Sequence, residues 1–220
     1  MGERAVVSGR RVVRTVAPLL LGVSLLGSVA PALAKSHTTT DAKNDVVRYD
    51  DALGDSDSRG VLDPTRTAGD IVSLKTFHGP HRVKLTMTFQ AMSRASENSP
   101  ATHVFNIKTA GNRHYDLVIF ATGGKTQPDR YFARRNGTEV KCRKLTSSMD
   151  YAAKQVKVSI PRACLGNPRW VRVGAGEGTF TGSFLDDNPI TLFVDEAGRT
   201  GRTGDNSDSL PPLGPRVRRG

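Results

Sequence analysis

Apolar and polar residues alternate along this chain in short runs broken by turn residues, the pattern of strands with one face in a core and the other in water. The clearest run is residues 82–90. Val83, Leu85, Met87 and Phe89 point one way, while Arg82, Lys84, Thr86, Thr88 and Gln90 point the other. Residues 71–77 precede it across His78-Gly79-Pro80-His81, so the two runs predict a hairpin. Residues 103–109 form a further run with Phe105 and Ile107 on one face. Residues 115–122 carry apolar side chains on both faces (Leu117, Val118, Ile119, Phe120), which predicts a central strand covered on both sides. Residues 130–134 and 138–143 flank Asn136-Gly137, a strong hairpin signal.

Alternation resumes at residues 155–160 through Val156, Val158 and Ile160, followed by a one-turn connection at 161–166. Residues 169–174 form a strand with Val171 and Val173 inward, and a last strand lies within 189–195. No window of twelve or more residues has helical periodicity. Roughly eight to ten short strands of this kind predict an all-β, two-sheet antiparallel β-sandwich spanning residues 45–196.

The two ends differ in texture from this middle. Arg4, Arg10, Arg11 and Arg14 precede an uncharged apolar stretch at 16–29, and Ala32-Leu33-Ala34 supplies a small-x-small cleavage pattern. Residues 1–34 therefore read as a signal peptide cleaved after Ala34, and the chain is expected to be secreted with no stable membrane insertion afterwards. The apolar part is too short and too interrupted by Gly22, Gly27 and Pro31 to span a bilayer. Arg10-Arg11 matches a twin-arginine signal only loosely, so general secretion is the expected route. Residues 35–44 are polar and Thr-rich and predict a flexible leader. Residues 197–220, rich in Gly, Arg, Ser and Pro, predict a disordered basic tail.

Loss of residues 1–34 removes four Arg and one Glu and lowers the net charge from +11 to +8. Cys142 and Cys164 are the only cysteines. In an oxidising compartment such a pair is expected to form a disulfide, worth on the order of 3 kcal/mol for a loop of this length.

Catalytic signals fail on inspection. Gly123-Gly124-Lys125-Thr126 resembles the end of a phosphate loop, but Ile119 stands where its first Gly must be. Gly174-Ala175-Gly176-Glu177-Gly178 has no helix after it to receive a phosphate. No nucleophile-elbow serine exists, and His37, His78, His81, His103 and His114 lack zinc spacing. A binding role fits better. Trp170 faces away from the core side of its strand, either as a sugar platform or packed under a loop or tail. Tyr131 lies among the bases of 125–144, where Arg134 and Arg135 could hold an anionic polymer or simply line a wet strand face. Export argues against nucleic acid as the partner.

Acidic residues cluster early, at Asp41, Asp45, Asp50, Asp51, Asp55, Asp57, Asp63 and Asp70. They form either a solvated acidic loop or part of an oxygen-rich calcium site. Asp55-Ser56-Asp57-Ser58-Arg59-Gly60 fails as a calcium hand, because Arg59 occupies a ligand position and Arg66 replaces the bidentate Glu.

The order Asp41-x-x-Asn44-Asp45-Val46, Gly69-Asp70-Ile71-Val72-Ser73-Leu74 and Arg82-Val83-Lys84-Leu85-Thr86-Met87-Thr88-Phe89 carries a resemblance. It resembles the opening of family-9-like carbohydrate-binding and glucodextranase C-terminal-type β-sandwiches, and of secreted actinobacterial proteins, with Asn44 where a Gly is usual. The resemblance covers residues 41–90 and implies a β-sandwich with a structural calcium near Asp41, Asp45 and Asp70. The leading expectation is thus a secreted, non-catalytic sandwich that binds cell-wall polysaccharide or anionic polymer. Behind it stand a protein-interaction or structural module and, third, a glycan-active hydrolase.

Overall fold

The structure, a computed structural model, describes residues 35–50, 60–123, 127–182, 190–199 and 210–220. The signal-peptide reading of 1–34, the acidic loop at 51–59 and Lys125 lie outside these residues. In chain order the strands are β1 (Lys35–Thr40), β2 (Val47–Tyr49), β3 (Val61–Leu62), β4 (Ile71–His78), β5 (Arg82–Phe89), β6 (Ala101–Thr109), β7 (His114–Ala121), β8 (Asp129–Arg134), β9 (Thr146–Asp150), β10 (Gln155–Pro161), β11 (Trp170–Thr181), β12 (Thr191–Glu196) and β13 (Val217–Arg218). One 3₁₀ turn, Arg162–Leu165, is closed by Gly166 in the left-handed region. The fold is an antiparallel β-sandwich. One sheet runs β1-β4-β5-β10-β9 and the other β3-β2-β12-β11-β6-β7-β8, with β13 added to the edge of β11.

The core fills the space between the sheets because inward positions are apolar on both. Leu74, Val83, Leu85, Met87, Val156, Val158 and Ile160 face Phe105, Ile107, Tyr115, Leu117, Ile119, Val171 and Val173, all buried. A smaller cluster of Val47, Tyr49 and Leu192, joined by Phe180 and Val194, forms a separate patch around β2, β12 and the end of β11. The Cys142–Cys164 disulfide ties the segment after β8 to the 3₁₀ turn, with alpha carbons 5.8 Å apart. Both cysteines pack against the main core. Among the described residues no helix is long and apolar enough to cross a membrane.

Five sequence expectations are corrected. Residues 35–40 are not a loose leader: they pair along β4 from Lys35↔His78 to Thr40↔Ser73. Their threonines suit a pleated surface, and the pairing covers β4 and makes β1 the edge strand of its sheet. The part of the tail at 210–220 is docked and not disordered. Pro211 and Val217 are buried, β13 pairs with Trp170 and Val171, and Gly220 N–H donates to the His78 carbonyl. Arg172 holds this segment by donating to the Leu213 and Gly214 carbonyls at 2.8 and 2.7 Å. Glycines at 174 and 176 make room for it, since a Cβ there would strike Pro211 and Pro212.

The third correction concerns 115–122, which is covered on one face only: on β7 Phe120 is 42% exposed, next to the edge strand β8. The fourth concerns the second arm of the Asn136-Gly137 hairpin. The hairpin is present, a three-residue loop closed by Arg134 N–H to Thr138 O with Gly137 at φ 81°, but residues 138–143 are not a strand: the returning chain makes a bridge at Glu139 and donates Val140 N–H to the Phe132 carbonyl at 2.8 Å. The fifth is length: the strand expected to stop at 174 runs on to Thr181.

Candidate functional site

Strand β4 begins at a point the backbone fixes tightly. Gly69 has φ 86°, and a Cβ there would collide with the Glu177 carboxylate, so only glycine fits. Asp70 follows it, fully buried, with its backbone carbonyl accepting from Gln90 N–H at 2.8 Å. Asn44, itself in the left-handed region, donates its N–H to Asp70 Oδ2 at 2.6 Å. A register shift lies between Ile71 and Ser73, and Ile71 N–H donates to Asp195 Oδ2 at 2.6 Å. Asp195 Oδ1 also accepts from Glu196 N–H at 2.8 Å.

Three segments thereby converge. One carboxylate oxygen each from Asp45, Asp70 and Asp195 lie within 4.8 Å of one another, and all three residues are buried. Asp41 stands beside the triad and not in it. Its Oδ1 caps the backbone, accepting from Ala42 and Gly198 N–H at 3.1 and 2.9 Å. Of the three residues nominated for a metal, two are in the cluster and Asp41 is its neighbour. Asp195 is the member that spacing could not reveal, because it arrives from 124 residues beyond Ile71.

Burial dominates the electrostatics. It pushes the Asp195 carboxyl up to about 8, with the Asp41 and Asp45 charges adding and the Ile71 N–H opposing. Asp41 rises to about 7 by burial first, opposed by Gly198 N–H and reinforced by Asp45 and Asp70. Asp70 is raised by burial too, against the Asn44 hydrogen bond. An all-carboxylate oxygen set is the donor chemistry of a hard divalent cation, and backbone carbonyls or water would have to complete its six to eight ligands.

Next to this triad the inward face of the second sheet carries a polar row. Asp195 on β12 is opposite Glu177 on β11, which is opposite His103 on β6. Glu177 and His103 line a cavity of about 400 Å³ between the sheets, with Arg66, Phe89, Arg94 and Tyr151 also on its wall. Neither residue was singled out from the sequence as a site. A signal existed: both share the inward parity of Ala175 and Phe105, so alternation alone makes them buried polar groups.

The remaining nominated residues do not form one site. Tyr131, 44% exposed, shares the outer face of β7 and β8 with Phe120. Arg135 reaches the same face and donates to Asn106 Oδ1 at 3.3 Å. Arg134 alternates to the other side of β8, in register with Tyr115. Trp170 does face away from the core, but it lies six residues along β11 from the row that contains Tyr131, about 20 Å away. The Arg216 guanidinium covers its ring at 4.6 Å. No family model matches this chain, and no curated protein or solved structure matches it significantly.

Proposed function

We propose that the protein is an exported, non-catalytic binding module for a surface component, carbohydrate or anionic cell-wall polymer, whose fold is tied together by calcium at Asp45, Asp70 and Asp195. One observation carries the reading: three buried carboxylates from three separate segments converge within 4.8 Å. At that spacing, away from water, ionised carboxylates repel strongly, and a divalent cation between them removes the repulsion. The cation would join the start of the domain to β4 and β12 and so link the two sheets. Export is supported by the signal-like residues 1–34 and by the disulfide. The resemblance over residues 41–90 points the same way.

The outer face of β7 and β8 is the surface for the partner. Phe120 and Tyr131 stand exposed on it as aromatic platforms, and Arg135 adds a cation. A protein partner is the second reading, favoured by Val118 and Val104, which continue the Tyr131 row across β7 and β6 on the same face and make the strip apolar.

Thermal melts with millimolar calcium and with chelator test the cation. Calcium should raise the melting temperature by roughly 5–10 °C if its concentration is near a hundred times Kd. Asp195→Asn should abolish that rise while stabilising the metal-free protein. Identical melts in calcium and chelator would remove the cation from the reading. A screen against purified cell-wall fractions and polysaccharides tests the partner, with Tyr131→Ala and Phe120→Ser expected to weaken any retained binding.

A further inference from the structure

The cavity between the sheets is separate from both the outer face and the carboxylate triad, and its floor has an unusual composition. His103 is 2% exposed, and neither ring nitrogen has a partner among the described residues. Its nearest ring neighbour is Phe89, 5.7 Å away between centroids, which offers no hydrogen bond. Buried polar side chains are almost always hydrogen-bonded, so an imidazole left this way beside a cavity is a group presented to something that enters. Glu177 is its direct cross-strand neighbour on the same face. Thr179 fixes that carboxylate by donating its hydroxyl to Oε1 at 2.6 Å.

We propose that this cavity binds a small uncharged polyhydroxyl compound, a single sugar unit or polyol, through His103 and Glu177. The chemistry of the wall sets the class. A neutral imidazole presents one donor and one acceptor, and the Glu177 carboxyl group presents further acceptors, which together match vicinal hydroxyls. Burial lowers the His103 pKa to about 4, so it offers no positive charge to an anion at neutral pH. A phosphate or carboxylate entering would also meet the Glu177 carboxyl group on the wall. A cation would meet Arg66 and Arg94. Both guanidiniums are already engaged, Arg66 3.7 Å over the Phe193 ring and Arg94 4.7 Å over Tyr151. Tyr151 and Met149 also line a second depression of about 570 Å³ that shares Arg94 with the cavity. A longer chain held by its end unit could continue there. The volume of the inner cavity, about 400 Å³, lies in the range of small-ligand sites.

The test reads His103 directly. Imidazole ¹⁵N resonances of labelled protein are followed while glucose, N-acetylglucosamine and glycerol are titrated, with inorganic phosphate as the charged comparator. At least one of the three uncharged probes should shift the His103 signals saturably, and phosphate should not. Glu177→Gln, which keeps the shape, should weaken that probe about tenfold. Ala101→Leu, which places bulk in the cavity, should abolish the shift. No saturable shift with any of the three probes would overturn the proposal. So would a shift with phosphate alone, or one that survives unchanged in both variants. None of these outcomes depends on calcium or on the outer face.

Discussion

Two neighbouring rows on the inner face of the second sheet show how one set of strands does opposite things. The row Ala175, Phe105, Leu117, Phe132 is apolar throughout and sealed. Two residues along, the row is Asp195, Glu177, His103, Ile119. Backbone pairing is the same in both, so hydrogen bonding of the sheet does not distinguish them. The difference is what each residue does with its burial. Phe105 gains by leaving water, while His103 and the two acids lose solvation that few partners replace. A fold with enough apolar rows can carry one such polar row, and it carries it where a cavity and a carboxylate cluster meet.

The largest expected effect comes from breaking the apolar row. Phe105→Ala should destabilise the domain by about 3–5 kcal/mol, because a closely packed interior cannot collapse into the space left. Denaturant melts with an unchanged slope would measure it. A loss below 1 kcal/mol would mean the two rows are not energetically distinct. Next comes the disulfide, which braces the apolar part of the sandwich. Cys142→Ser with Cys164→Ser should cost on the order of 3 kcal/mol, read from the same melts. The oxidised protein, denatured without reductant, should show no free thiol.

How much of this contrast was legible beforehand depends on the range of the interactions. Alternation placed Val83, Leu85 and Met87 inward, and the pair Cys142 and Cys164 implied its bridge, because both signals sit within short stretches of chain. The docking of 210–220 was hidden by its composition. Pro211 is held by a groove over Gly174 and Gly176, and Arg172 supplies the donors, so the affinity lies in β11 and not in the tail. Asp195 was hidden for a similar reason, since a carboxylate becomes a cluster member only through the strand order of the sheet. Glu177 and His103 were hidden only by ending one strand at 174 and by reading His103 for zinc spacing instead of parity.

The polar row has a pH signature that the apolar row lacks. Asp195 and Glu177 in the row, with Asp41 beside it, keep their protons in the folded chain up to about 8, about 7 and about 7, where an unfolded chain lost them near 4. The folded state therefore binds more protons across that interval, and stability is fully present below about 4 and is lost as pH rises through about 8. His103 works in the opposite sense, but only between about 4 and its ordinary value near 6.5. From pH 6.5 to 8 the carboxylates act alone. The metal-free protein should melt progressively lower over that interval, and saturating calcium should flatten the trend. A flat profile in chelator would show that the carboxylates ionise without cost and that the contrast between the rows is smaller than drawn.

The smallest expected effect is the sharpest probe of the comparison. His103→Leu replaces an imidazole whose two nitrogens have no partner with an apolar side chain of similar size, on a face shared with Phe105 and Ile107. Removing an unsatisfied buried polar group relieves its desolvation, whereas truncating a satisfied one exposes its partner's need. The change should therefore be neutral or stabilising by up to about 1 kcal/mol, against the several kcal/mol expected for Phe105→Ala two residues away. Melts of the two variants side by side in chelator measure the difference directly. A His103→Leu loss as large as that of Phe105→Ala would mean that the imidazole is a structural member of the core. Stability retained while the polyhydroxyl probes no longer protect the protein from heat would place His103 where its burial without partners puts it, as a group kept for what enters the cavity.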